Sequence, residues 1–311
     1  MLSAVRQNTP WHCAKMRRCV RVAASAALML MSVGFDTRAQ DSTLNNFKLC
    51  NDTQSASLDQ QIGGCTALID AGALMPQGLA VAFNTRGIAY TKKGDYDRAI
   101  QDYDESIKIN PKYAKAFNNR GVAYRKKGDH DRAIQDFDES IKLDSNYAIA
   151  FANRAATYQE KGEYNLAARD YDEVIRLKPI YESAIKDQPE LGADWKRVLE
   201  TLPNERCWTH AVTGDLQNAL AYCNEAIQSQ PNVAQIRDSR GLVYLKMGRW
   251  DAAIEDYNLA LRIDPKLASS LYGRGLAKLK KGNSPDGNVD IDTATAISAN
   301  IVTDLQRYGL K

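Results

Sequence analysis

Cysteine and histidine are two residue types that often act as nucleophiles, bases or metal ligands. The 311-residue sequence contains 6 cysteines and 3 histidines. Four of the cysteines form two pairs with similar spacing, Cys50 with Cys65 and Cys207 with Cys223. They could form structural disulfides, stay reduced and buried, or serve a redox or metal site. The absence of a C-x-x-C motif or a Cys/His cluster makes the third interpretation the least favoured.

Catalytic and phosphate-binding motifs are absent from the sequence. It contains no H-E-x-x-H, G-x-S-x-G or G-x-x-x-x-G-K-[ST] pattern, the spacings typical of a zinc peptidase, a serine hydrolase and a nucleotide-binding loop. We therefore expect no enzyme activity, no cofactor and no metal centre. Recognition is the favoured class of function.

The chain is built from sequence repeats, and these repeats predict the helices that position its side chains. Glycines recur every 34 residues in two series, which are Gly94, Gly128 and Gly162, and then Gly214, Gly248 and Gly282. Apolar residues recur three or four positions apart on both sides of each glycine, which predicts two amphipathic helices per unit. One helix pair cannot bury its apolar face alone, so neighbouring units must stack on one another. The predicted fold class is all-α.

Small and aromatic residues recur at fixed places around each glycine. In the first three units a small residue is followed three places later by tyrosine, and the second helix carries alanine and then an aromatic residue. These residues are Gly87, Tyr90, Ala99 and Tyr103, then Gly121, Tyr124, Ala133 and Phe137, then Ala155, Tyr158, Ala167 and Tyr171. The pattern resembles the tetratricopeptide repeat (TPR). The resemblance implies a TPR-type α-solenoid, in which stacked helix-turn-helix units form a right-handed superhelix with a concave groove.

Six units are expected in two blocks separated by a connector. The first block is residues 80–181, with units beginning at Ala80, Ala114 and Ala148. The second block is residues 200–301, with units beginning at Glu200, Ala234 and Ala268. Its first and last units depart from the repeat pattern. The connector, residues 182–199, could add a rigid helix or act as a hinge.

The two ends of the chain lie outside the repeats. Residues 40–79 are predicted to form a divergent N-terminal helical cap. Residues 302–311 are predicted to form a C-terminal capping helix, because Ile301, Leu305 and Tyr308 fit one helical face. Trp195 and Trp208 are expected to be core or junction anchors.

The first 39 residues have the features of a signal peptide. Basic residues precede an uncharged run of 14 residues from Val22 to Phe35, and Thr37-Arg38-Ala39 offers small residues for cleavage. A membrane-spanning helix needs about 20 apolar residues, so export to the periplasm or the medium is favoured over an integral membrane span. The export route stays open between the general secretory and twin-arginine pathways.

The net charge depends on these 39 residues. They carry six of the 41 basic residues and one of the 38 acidic residues, so a formal charge of +3 becomes −2 without them. A general attraction to nucleic acid is therefore not expected. The whole layout resembles uncharacterised exported TPR proteins of proteobacteria.

The resemblance also bears on the cysteines. Cys207 takes the small-residue place of the Glu200 unit and Cys223 takes its aromatic place, and the resemblance implies that these two places face each other. Cys50 and Cys65 have a similar spacing in the N-terminal cap. In an oxidising compartment we expect two structural disulfides, with buried free thiols as the alternative.

A pair of opposite charges recurs in five of the six units. Aspartate follows arginine at a distance of sixteen residues, in Arg86 and Asp102, Arg120 and Asp136, Arg154 and Asp170, Arg240 and Asp256, and Arg274 and Asp290. Such joint recurrence predicts a ladder of ion pairs between the two helices of each unit.

The resemblance places ten residues on the concave groove as candidate partner-binding residues. They are Asn84, Lys92, Asn118, Arg125, Lys126, Asn153, Leu242, Leu245, Tyr272 and Leu276. The places in the first block are amide-rich and basic, and those in the second block are apolar. We hypothesise that the asparagine amides hold an extended peptide backbone while the basic side chains favour acidic residues. A solvated face without a ligand is the alternative.

The expected function is that of an exported TPR scaffold that binds a protein or peptide through its groove. Two other classes stay open. The chain could be a permanent subunit of an envelope assembly or secretion complex, or a receptor for a small molecule or glycan. The pattern predicts neither the identity of the partner nor the oligomeric state.

Overall fold

The structure, a computed structural model, describes residues 37–52, 55–187 and 192–310. This part of the chain contains fifteen helices and no strand, so the predicted all-α fold is confirmed. The predicted signal peptide lies outside the described residues except for positions 37–39, which begin the first helix. No described helix combines the length and the apolar character that a membrane crossing requires. The chain divides into two compact units, Met1–Ala73 and Leu74–Lys311.

The described part of the first unit is a helical hairpin. α1 spans Thr37–Asn51 and α2 spans Leu58–Asp70. Ser57 begins α2 with a capping box, in which its hydroxyl accepts a hydrogen bond from the Gln60 N–H and its own N–H donates to the Gln60 side chain. Two N–H groups that the helix start would leave unpaired are thereby satisfied.

The second unit consists of six helix pairs and a short terminal helix. The first block is carried by α3 (Pro76–Lys93), α4 (Tyr96–Ile109), α5 (Ala114–Lys126), α6 (His130–Leu143), α7 (Ala148–Lys161) and α8 (Tyr164–Asp187). The second block is carried by α9 (Gly192–Thr213), α10 (Leu216–Ser229), α11 (Ala234–Lys246), α12 (Trp250–Ile263), α13 (Ala268–Lys280) and α14 (Ser284–Ile297). The terminal helix is α15 (Ile301–Gln306).

Each helix pair turns at a glycine in the left-handed region of backbone conformation. The six φ angles lie between 73° and 89°, at Gly94, Gly128, Gly162, Gly214, Gly248 and Gly282. In the first two pairs the next residue, Asp95 or Asp129, begins the second helix and accepts a hydrogen bond from the backbone N–H three residues later. The recurrent Gly-Asp sequence thus ends one helix and starts the next.

The two helices of a pair approach closely at the recurrent small residue. A Cβ on Gly87 would lie 2.7 Å from Cε1 of Tyr103, and one on Gly121 would lie 2.8 Å from Cε1 of Phe137. Both rings are fully buried. The small residue therefore makes room for the ring that fills the core of each pair.

The first helices of the pairs form the inner layer of the stack. The first helix of a pair contacts the first helix of the next pair, and this holds for α3, α5, α7, α9 and α11. Within the described residues, the second helices of successive pairs make no such contacts. The first helices therefore lie closer together, and their free sides form one surface, which we call the inner face. A groove of the kind that solenoids use for recognition would lie on this face.

The predicted connector is helical at both of its ends. α8 continues to Asp187 and α9 begins at Gly192, whereas residues 188–191 are outside the described part. Trp195 is buried, and the centroid of its ring lies 4.6 Å from that of Tyr181. The expected role of Trp195 as a core anchor is confirmed.

Candidate functional site

The predicted charge ladder forms the framework beneath the inner face. Arg120 donates two hydrogen bonds to Asp136, from Nε at 2.9 Å and from Nη2 at 2.7 Å. The same two bonds join Arg86 to Asp102, Arg154 to Asp170, Arg240 to Asp256 and Arg274 to Asp290. Arg120 also donates to Asp104 of the preceding unit, at 2.6 Å. The ladder is confirmed, and it joins neighbouring units as well as the two helices of one unit.

Two asparagines that were predicted to bind a peptide instead join neighbouring units. Asn84 is 5% exposed and Asn118 is 3% exposed. The amide nitrogen of Asn119 donates to Asn84 Oδ1 at 3.0 Å, and that of Asn153 donates to Asn118 Oδ1 at 2.9 Å. Because a buried amide is costly unless it is hydrogen-bonded, these contacts account for the recurrence of asparagine at this place.

The same contact recurs in the second block with a different donor. The Ser239 hydroxyl donates to Asn204 Oδ1 at 2.9 Å, again across 35 residues. The interpretation of Asn84 and Asn118 as peptide ligands is therefore corrected, since their side chains lie between helices. Asn153 stays partly exposed.

The first block carries exposed lysines at the C-terminal ends of its inner helices. Lys92 on α3 and Lys126 on α5 hold equivalent places and are both exposed. Lys246 holds the same place on α11, where its Nζ donates to main-chain carbonyls at the end of α9. A lysine at this position of a unit therefore lies next to the inner helix of the preceding unit.

Arg125 is more enclosed than these lysines. Its side chain is 16% exposed, its Nη1 lies 3.5 Å from the Asn153 carbonyl oxygen and its Nε lies 3.9 Å from Glu160 Oε1. Part of its charge is thus offset within the protein. We call Lys92, Arg125 and Lys126 the basic surface, and the two lysines are its most accessible charges.

The apolar residues predicted to line the groove of the second block are covered. Leu242, Leu245, Tyr272 and Leu276 are 6%, 5%, 6% and 9% exposed. They belong to one apolar cluster that also contains Ile301, Leu305 and Leu310. The expectation of an open apolar wall is corrected, because the chain's own C-terminal segment shares this cluster.

His210 lies at the junction of the two blocks, between two carboxylates. Its Nδ1 lies 3.1 Å from Asp215 Oδ2, and its Nε2 lies 3.4 Å from Asp172 Oδ2. Arg206 also donates to Asp172, at 2.8 Å. The contact with Asp172 raises the pKa of His210, against the opposing effect of burial. The arrangement links α8, α9 and the start of α10.

A second polar cluster at the junction was not foreseen from the sequence. Gln159 Nε2 donates to Glu205 Oε2 and to Thr209 Oγ1, both at 2.9 Å, and the Tyr171 hydroxyl donates to Gln159 Oε1 at 2.7 Å. Burial raises the pKa of the Glu205 carboxyl. The available signal was that Glu205 is acidic at the place where Asn119 stands in the first block.

Both predicted cysteine pairs have the geometry of disulfides. The Cα atoms of Cys50 and Cys65 are 4.6 Å apart, and those of Cys207 and Cys223 are 4.9 Å apart, within the range that a disulfide spans. The first pair joins α1 to α2 and the second joins α9 to α10. All four residues are buried.

A modest cavity lies at the junction of the two blocks. Among the described residues, no group of three or more His, Cys, Asp or Glu side chains could hold a metal ion. A cavity of about 230 Å³ lies between α8, α9 and α10, beside Pro203. Pro203 stands where the first block has the larger side chains of Phe83, Phe117 and Phe151, so the cavity follows from a missing ring.

Family comparisons match the repeated part of the sequence. A family model described as TPR repeat matches residues 87–128 and 241–282. Two models described as tetratricopeptide repeat match residues 114–147 and 148–181. No curated protein matches the chain.

Solved structures with the same fold cover most of the chain. A tetratricopeptide repeat protein from Parabacteroides merdae is 15% identical with a TM-score of 0.56, and the match covers 88% of this chain and 99% of that chain. PilW, a type IV pilus biogenesis factor, is 15% identical with a TM-score of 0.55, covering 73% and 98%. Pseudomonas aeruginosa pilF is 14% identical with a TM-score of 0.54, covering 76% and 99%. At these identities the similarity shows a shared fold.

Proposed function

We propose that the chain is a scaffold that binds a protein or peptide on the inner face of its first block, since residues 87–181 and 241–282 match models of the tetratricopeptide repeat. Solenoids use this extended surface for recognition. The observation that carries the proposal is the difference between the blocks. The predicted groove residues of the second block are covered, whereas Lys92 and Lys126 of the first block are exposed.

The proposed ligand is an extended segment with acidic side chains. Lys92 and Lys126 are separated by one repeat, so a chain crossing the inner helices would meet positive charge at successive units. The Asn84 and Asn118 amides are engaged between helices, and the Asn153 amide nitrogen donates to Asn118, so recognition rests mainly on the exposed charges. Exposed charge pairs contribute little individually, so we expect weak and salt-sensitive binding.

Charge reversal tests this surface. In-cell crosslinking followed by mass spectrometry compares the wild type with the Lys92→Glu/Lys126→Glu variant. The matched control is Lys112→Glu, an exposed lysine in the loop before α5. We expect the crosslinked partner to fall at least tenfold in the double variant and to be retained in the control. The same partner in equal amount from both variants would remove the basic surface from the proposal.

The proposal includes export to the periplasm or the medium, in keeping with the resemblance to exported proteobacterial repeat proteins. The signal-like residues 1–39 and two disulfide-compatible cysteine pairs support it, because disulfides persist in oxidising compartments. N-terminal sequencing of the protein from an envelope fraction should find a start near Gln40. An unprocessed chain in the cytoplasm would contradict export.

The two other function classes lack a supporting observation of this kind. A permanent subunit would need an exposed apolar surface for docking, and the apolar groove residues of the second block are covered. A receptor for a small molecule or glycan would bind its ligand in the cavity beside Pro203. The lack of an aromatic ring at this position already explains that cavity, so the cavity does not specifically support a receptor.

A further inference from the structure

Residues 301–310 cross the inner face of the second block. Ile301 and Leu305 on α15 and Leu310 beyond it are buried in the cluster that contains the inner-helix residues of α11 and α13. Gly309 lies beside Lys246 of α11, whose Nζ would be 3.9 Å from a Cβ at Gly309. The segment therefore occupies the surface that would otherwise be the groove of this block.

The far end of the segment reaches the first helix pair of the block. The ring centroid of Tyr308 lies 4.9 Å from that of Trp208 on α9, with the rings edge to face. It also lies 5.8 Å from that of Tyr164, at the start of α8. Residues 301–310 thus extend over α13, α11 and α9 in turn, from the end of the solenoid toward its middle.

The segment is held mainly by apolar contacts. Three aliphatic side chains are buried, and Val302 and Tyr308 are partly buried against the same cluster. Ordering ten residues opposes the gain from burying so few side chains, and the two effects are of similar size. The start of α15 also lacks a side-chain cap at Asn300. The segment should therefore open far more readily than the helices that it covers.

We propose that residues 301–310 are an internal ligand of the second block. They occupy its inner face until a segment of the same chemistry displaces them. That chemistry is an aromatic residue followed by a small residue and an aliphatic residue, as in Tyr308-Gly309-Leu310. The proposal rests on the proposed scaffold function and adds a second, apolar recognition surface that opens only on exchange.

The test uses a fluorescent peptide of residues 301–311 and full-length protein. The Leu305→Ser/Leu310→Ser variant loosens the internal segment while leaving α9, α11 and α13 unchanged. We expect this variant to bind the peptide at least tenfold more tightly than the wild type does. A matched control with two substitutions at exposed positions of the same segment, Thr303→Ser/Gln306→Ser, should bind like the wild type. Equal peptide affinity for the loosened variant and the wild type would overturn the proposal.

Hydrogen exchange on the wild type provides a readout that does not depend on any variant. The Tyr308 and Leu310 amides donate to the Leu305 carbonyl, and the proposal predicts that they exchange at least a hundredfold faster than the buried amides of α13. Equal protection would mean a permanent cap and would refute an exchangeable ligand.

The two proposals can fail separately. Lys92→Glu/Lys126→Glu should leave binding of the 301–311 peptide unchanged, because those lysines are on the first block. Loss of crosslinks in that variant, with no peptide binding to the loosened variant, would support the scaffold and reject the internal ligand.

Discussion

Replacing Asp136 by alanine tests whether the charge ladder stabilises the stack. The Asp136 side chain is 7% exposed and accepts two hydrogen bonds from Arg120. Its removal leaves a guanidinium that is 20% exposed and paired with Asp104, which is itself 50% exposed. Removing one member of a buried ion pair costs about 3–5 kcal/mol. Because Asp104 still offsets part of the charge, we expect the free energy of unfolding to fall by about 3 kcal/mol.

The same helix supplies a matched control. Asp138 also pairs with a ladder arginine, Arg154 of the next unit, but its side chain is 52% exposed. An exposed pair of this kind contributes about 0–1 kcal/mol, so Asp138→Ala should be nearly neutral. The double variant Arg120→Met/Asp136→Leu should regain most of the stability lost in Asp136→Ala, because it removes both charges and keeps the volume.

Urea denaturation followed by far-UV circular dichroism measures these differences. The midpoints of the three variants are compared with the wild type at one pH and salt concentration. If Asp136→Ala and Asp138→Ala shift the midpoint equally, burial does not set the strength of the ladder. The reasoning from exposure to stability would then be refuted.

Three further predictions concern the Cys207–Cys223 disulfide and the titration of two side chains, Asp238 and His210. Cys207→Ala/Cys223→Ala should lower the free energy of unfolding by about 3 kcal/mol, the value for a loop of this length, and thiol titration of the unreduced, denatured wild type should find no free thiol at these positions. Burial raises the pKa of Asp238 to about 6, so the folded state binds its proton more tightly than the unfolded state does. Stability should therefore fall as pH rises from about 4 to about 6, and urea midpoints for Asp238→Asn should lack this fall. His210, whose pKa is raised by Asp172, should contribute its full stabilisation below about pH 6.5 and lose it as pH rises further. Equal midpoint profiles for His210→Gln and the wild type above that pH would contradict this assignment.

The repeat framework was predictable because each unit encodes the same local contacts. Each turn glycine ends the first helix of its pair, and in the regular units the small residue faces an aromatic ring, as Gly121 faces Phe137. The ladder could be inferred because Arg120 and Asp136 recur together at a fixed spacing. Joint recurrence at a constant distance is the signature of a contact inside the unit.

The role of the asparagines could not be inferred in the same way. Residues that recur on an inner helix fit a ligand site and an inter-unit contact equally well. Asn84 is bonded to Asn119, which is 35 residues away and has a different place in its own unit. A pattern of single positions does not reveal such a bond, since it depends on how far one unit rotates against the next.

The repeat pattern also could not predict that the inner face of the second block is covered. The residues after Ile301 do not repeat, so periodicity places them on one helical face but gives no direction for the chain. Contact between Tyr308 and Trp208 depends on the curvature of three successive helix pairs. Curvature arises from packing between units, which the sequence of one unit does not determine.

The path of residues 301–310 sets the number of helix pairs that the second block can contain. It spans α13, α11 and α9, so an additional unit inserted among them would carry Trp208 out of reach of Tyr308. Among the described residues, no comparable segment spans the inner helices of the first block. The Asn119–Asn84 and Asn153–Asn118 bonds are the same contact in the same register, so a duplicated copy of residues 114–147 would find matching neighbours on both sides. We therefore expect insertion of a whole unit to be compatible with the contacts of the first block but not with those of the second.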